Sequence, residues 1–140
     1  MWSWLKKPNQ AAPVASTMRR YAPQADKQKQ GAEAELLARA YLSERGLKFI
    51  EANLACTQGE IDLIMTDGDT LVFIEVRWRK TVAYGGAAVS ITPAKLKRLS
   101  NACAVFLQQN RINSPCRIDA VLLQGELTAP EITWLKNITG

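Results

Sequence analysis

Apolar residues first recur at helical spacing in Ala34, Leu37, Ala38, Tyr41 and Leu42. This stripe predicts a helix from about Ala32 to Arg45, with Gly46 as its stop. The period then shortens. Leu47–Leu54, Gly59–Thr66 and Leu71–Arg79 read as three strands, with Asp67-Gly68-Asp69 as a turn between the last two. Tyr84-Gly85-Gly86-Ala87 predicts a flexible loop. Thr92 followed by Pro93 has the chemistry of an N-cap and a first helical position. The helix it opens runs to about Gln109 and buries Leu96, Leu99, Cys103, Phe106 and Leu107. Arg117–Leu123 and Ile132–Leu135 are two further short strands. The order α-β-β-β-α-β-β implies an α/β domain, a mixed central sheet flanked by helices.

Residues 1–30 lack this patterning. They hold three of the six prolines and four glutamines, and are expected to be a disordered basic arm ahead of one folded domain, 31–140. The net charge of +5 is confined to that arm, which has six Lys/Arg and one Asp; the remainder has 12 basic and 12 acidic groups. The basic balance therefore says little about the folded domain. Within the arm, Trp2-Ser3-Trp4-Leu5 is apolar enough to contact a partner or a membrane surface. No run approaches the roughly 18–20 apolar residues of a membrane span, and the N-terminal charges stand on the wrong side for a signal peptide, so a cytoplasmic protein is expected. Three scattered cysteines without a CxxC argue against a disulfide framework or zinc site, and Cys103 reads as a core residue. The absence of histidine excludes Ser-His and Cys-His triads and His-ligated zinc. Any enzyme here works with carboxylates, Lys/Arg and a hard metal ion.

Two strands carry acids where core residues are expected. Asp62 lies within Ile61-Asp62-Leu63-Ile64-Met65, and Glu75 within Leu71–Arg79, with Arg77 two residues on and so on the same face. Pairing through the Asp67-Gly68 turn brings Asp62 and Glu75 near one another. Close carboxylates repel, and burying either costs several kcal/mol unless something positive lies between them. A divalent cation meets that need, and oxygen ligands favour magnesium or manganese. Each acid alone also fits a solvent-facing strand position, with Glu75–Arg77 an exposed pair. Glu35 falls beside Leu42 at the edge of the helical stripe, bordering the sheet or pairing with Arg39 one turn on.

Gly31-x-x-Ala34-Glu35, Gly59-Glu60-Ile61-Asp62-Leu63-Ile64, Phe73-Ile74-Glu75-Val76-Arg77-x-Arg79 and Tyr84-Gly85-Gly86 together resemble the YraN-like family of small bacterial proteins. That family is similar to archaeal Holliday-junction resolvases and the restriction-endonuclease-like, PD-(D/E)xK superfamily. The resemblance spans roughly residues 31–135. It implies that Asp62 and Glu75 are metal ligands, that Glu35 completes the site and that the Val76 carbonyl is a further ligand. The implied chemistry is phosphodiester hydrolysis with magnesium or manganese. Arg77 departs from the lysine usual there; arginine binds phosphate well but gives up no proton near neutral pH.

For nucleic-acid contact the folded domain offers Arg79, Lys80, Tyr84, Lys95 and Arg98, whereas Lys97 reads as a solubilising residue and Trp78 as core. Three functions stay open: a DNA endonuclease acting on branched or single-stranded substrates, a non-catalytic DNA-binding or repair-associated module, and an adaptor using the tryptophan-bearing arm. DNA is the expected partner, and a homodimer is allowed.

Overall fold

A computed structural model describes residues 18–20, 26–81 and 83–139. Its order is β1 (Arg19–Arg20), α1 (Asp26–Glu44), β2 (Lys48–Cys56), β3 (Gly59–Asp67), β4 (Thr70–Arg79), α2 (Pro93–Gln109), β5 (Cys116–Gln124) and β6 (Glu131–Leu135). The six strands form one sheet in sequential order; β4–β5 is the parallel pair, with α2 as its crossover, and the other neighbours are antiparallel. This mixed α/β architecture agrees with the restriction-endonuclease-like arrangement expected from the sequence.

The two helices cover opposite faces. Leu99, Ala102, Cys103 and Phe106 of α2 pack on Ile64, Leu71, Phe73 and Ile118, with Phe73 and Phe106 edge-to-face at 5.8 Å. Ala34, Ala38 and Leu42 of α1 pack on Leu63, Met65, Val72, Ile74, Val121 and Leu123. The central strands are thus apolar on both faces, which is why Leu71–Ile74 read as a continuous apolar run. Thr92 caps α2 by accepting from the Lys95 N–H at 3.2 Å, with Pro93 at the first turn.

Some elements differ from expectation. The helix α1 starts at Asp26, within the segment expected to be a disordered arm, because Asp26–Gln30 is polar but free of helix breakers. Arg19–Arg20 form an edge strand on Leu54–Ala55, and the Arg20 guanidinium grips the Glu51 carboxylate. The rest of that arm, including Trp2 and Trp4, lies outside the described residues. The Gly-rich loop, expected without regular structure, forms two short 3-10 turns, Ala83–Gly85 and Ala88–Ser90. Between them Ala87 is fully buried and donates its N–H to Gln124 Oε1. Cys56 and Cys103 are buried, Cys116 is exposed, and all three are free thiols. No helix among the described residues is long and apolar enough to cross a membrane.

Candidate active site

The site begins where β3 and β4 part. Their register runs from the Asp67↔Thr70 turn to Leu63↔Ile74 and ends there, while β4 continues through Arg79 paired to β5 alone. Beyond the fork the Val76 N–H is met by a side chain: Asp62 Oδ2 accepts it at 2.9 Å. A carboxylate thus replaces a ladder partner and is fixed at the mouth of the opening.

The neighbouring strand changes face at the same level. Ala52 and Leu63 are cross-strand partners on the α1 side, whereas Leu54 and Ile61, the next such pair, lie on the α2 side. In each strand the two residues are two apart and ordinary alternation would keep them on one face. Asn53 and Asp62 lie between the pairs, and Asn53 adopts φ +57°, a left-handed conformation that asparagine tolerates better than most residues. This twist carries Asp62 out of the regular sheet face towards Glu75.

The fork opens into a cleft of about 700 Å³. Its acidic lining comprises Glu35, Glu60, Asp62 and Glu75; its basic lining comprises Arg77, Arg79, Lys80, Lys95 and Arg98. Gly31, Ala32 and Ala34 are small and leave room along the α1 wall for Glu35. On the α2 wall, Gly59 lets the start of β3 approach closely: a Cβ there would lie 2.7 Å from the Arg98 carbonyl oxygen. That approach sets the basic turn of α2 against the acidic strand.

Electrostatics within the cleft follow from crowding. Burial pushes the Glu35 carboxyl up to about 7, the charges of Glu75 and Glu60 adding to the effect and a hydrogen bond with Asn53 opposing it. Asp62 is held well above the usual carboxylate range, first by burial and then by the charge of Glu75 and by sharing a hydrogen bond with it; the Val76 N–H acts the other way. Glu75 is buried and paired with Arg77, whose Nη2 donates to Oε2 at 2.8 Å. Two buried polar atoms in the cleft residues lack a protein partner, Asn53 Oδ1 and Arg77 Nε.

The expected site residues Glu35, Asp62, Glu75, Val76, Arg77, Arg79, Lys80, Lys95 and Arg98 all line this one cleft. The Tyr84 side chain lies outside the described residues. Arg39 does not stand as a simple partner of Glu35: its guanidinium lies over the Phe49 ring, 3.5 Å from the centroid. Trp78, read as core, packs partly against the α1 side while also lining the cleft, and its indole N–H donates to the Gly125 carbonyl at 2.9 Å. Glu60 and Asn53 were not anticipated; an asparagine inside a strand, a poor β-former that tolerates positive φ, was the available signal for the second. Among the described residues no three Asp, Glu or Cys side chains are already gathered as a ligand set. The acids face a common space, with Glu75 drawn aside by Arg77.

Elsewhere, Asp119 is fully buried and accepts from Arg117 Nε, Trp134 Nε1 and the Asn137 N–H, while Arg117 also reaches Asp67 at 2.9 Å. Among the described residues, a buried acid thus recurs away from the cleft. Here it is fully paired, and it ties β6 and the C-terminal segment to the sheet.

The chain is similar to known proteins along most of its length. Residues 34–123 match the model of the Uncharacterised protein family UPF0102. A UPF0102 protein of Colwellia psychrerythraea is 48% identical over 110 residues, covering 76% of this chain and 85% of its own length. One from Neisseria gonorrhoeae is 48% identical over 113 residues, covering 80% and 96% respectively. One from Herminiimonas arsenicoxydans is 47% identical over 115 residues, covering 82% and 90%. With the matched segment spanning α1 to β5 and so both acidic strands, this chain belongs to the UPF0102, or YraN-like, family.

Proposed function

We propose that this protein is a metal-dependent DNA endonuclease that hydrolyses phosphodiesters in the cleft at the β3–β4 fork. One observation carries the reading: Glu35, Asp62 and Glu75 converge from a helix and two strands onto a cleft whose other charged lining is basic. Acids at the floor suit a divalent cation, and bases at the rim suit the phosphates on either side of the scissile bond.

The donor set fits magnesium or manganese, since the groups available are oxygens: the three carboxylates and the Val76 carbonyl. Crowding that raises the proton affinity of Asp62 and Glu35 is relieved by a cation, which makes ligand deprotonation and metal uptake one linked event. The chemistry such an ion supplies when bound is polarisation of the phosphate and activation of water. Arg77 uses Nη2 to orient Glu75 and brings a fixed positive charge to the cleft for the phosphate. Arginine cannot take the proton of the attacking water. That proton would pass to solvent, since Glu35 would be engaged as a ligand with the ion bound. Arg79, Lys80, Lys95 and Arg98 hold the flanking backbone.

The test is purified protein with magnesium or manganese on duplex, single-stranded and branched DNA, paired with manganese titration by calorimetry. Cleavage is expected with wild type and its loss with Asp62→Asn or Glu75→Gln, together with loss of manganese binding. Equal manganese affinity in all three proteins would sink the site.

A second reading, a non-catalytic DNA-binding module, is favoured by the Glu75–Arg77 ion pair, in which an internal cation already neutralises a ligand carboxylate. It calls for salt-dependent DNA binding by a protein that cleaves none of these substrates and binds no manganese.

A further inference from the structure

Beside the cleft, on the other side of Glu35, lies a second and mainly apolar hollow of about 190 Å³. It shares Ala32, Glu35 and Asn53 with the cleft and is otherwise bounded by Leu36, Arg39, Phe49, Ala52 and Leu63. Leu36 is 63% exposed, unusual for a leucine on a helix whose neighbouring residues bury their apolar groups. Arg39 lies flat over Phe49, so the wall already contains a stack of two planar groups that a third can extend.

We propose that this hollow receives one unstacked nucleobase of the bound strand, next to the phosphate held in the cleft. The inference rests on the nuclease reading above and narrows its substrate to DNA with an unpaired nucleotide at the cut. Size supports it: a dry cavity of about 150 Å³ takes up a benzene-sized ring, and a base needs little more. Chemistry supports it too. Apolar walls and a guanidinium plane bind the flat face of any base, so little sequence preference follows. A base paired inside a duplex cannot reach the hollow without being extruded, which adds the cost of unstacking and unpairing.

The experiment measures binding without divalent cation, so that nothing is cut. A fluorescent adenine analogue, 2-aminopurine, is placed in an oligonucleotide offered either single-stranded or as the duplex. Ala52→Leu fills the hollow, and Leu36→Ser strips its exposed rim with little risk to the fold; melting curves check both. Both variants are expected to lose at least about fivefold in single-strand affinity, the lower end of base–aromatic stacking, while duplex affinity stays within about twofold. The change in 2-aminopurine emission seen with wild type should vanish with them. Equal losses on both DNAs, no loss on either, or no DNA binding by wild type overturns the proposal. Failure of the nuclease reading is distinct: manganese binding and cleavage absent, with strand discrimination retained.

Discussion

Arg77 has one hand on Glu75 and a buried Nε with no protein partner, an arrangement that lysine cannot copy. Arg77→Lys is therefore expected to keep the fold and lower single-turnover cleavage by at least about tenfold, because one charge-assisted contact of about 1.5–3 kcal/mol is lost. A faster Lys variant would mean that the residue is a handicapped base, not a clamp. Glu35 supports a second prediction. Its folded carboxyl titrates near 7 and that of an unfolded chain near 4.5, so between these values the native state holds the extra proton. Stability in metal-free buffer should then fall as pH rises through this window. Glu35→Gln should flatten the fall and raise the melting temperature at pH 8, and manganese should restore wild type. A melting profile that rises across the window would contradict this. At this scale much was legible in the sequence. Asp62 and Glu75 stood out because an acid between large apolar strand residues has few bland explanations, and Arg77 followed by alternation. Asn53 and Glu60 did not, since their roles depend on a backbone twist that strict alternation cannot express.

Among the elements, the second helix and the three central strands could be read to within a residue or two, because caps, turns and apolar periodicity agreed. The start of α1 could not, since Asp26–Gln30 forms helix without an apolar stripe to announce it. The fork was also hidden: the sequence places Asp62 opposite Glu75 in a regular ladder, whereas pairing stops one step earlier and a side chain closes the gap. Gly59 is where element packing meets the site. Its missing Cβ admits the Arg98 carbonyl, so Gly59→Ala should destabilise by about 1–3 kcal/mol through overpacking. It should weaken DNA binding as well, because the Lys95–Arg98 turn is pushed off the cleft. Chemical denaturation and a DNA titration on the same variant check both effects; unchanged stability would show that α2 yields freely.

For the whole molecule, positive charge is divided between a balanced domain and a basic arm. Removing residues 1–17 leaves β1 and α1 intact and takes away Lys6 and Lys7. If both touch phosphate, the slope of log affinity against log salt on duplex DNA should shrink by roughly 1.8, about 0.9 per contact. An unchanged slope would assign the contacts to the cleft rim alone. The sequential sheet order has a consequence for how the chain reaches this state. The strands β2, β3 and β4 are joined by tight turns and can pair early, whereas β5 must wait for the α2 crossover. Asp62 and Glu75 both belong to the early unit, so the cost of burying the two carboxyl groups together, by repulsion or by taking up a proton, is met on the way uphill rather than after the barrier. Asp62→Asn should then quicken refolding more than it slows unfolding, making this carboxyl group a brake on folding kinetics.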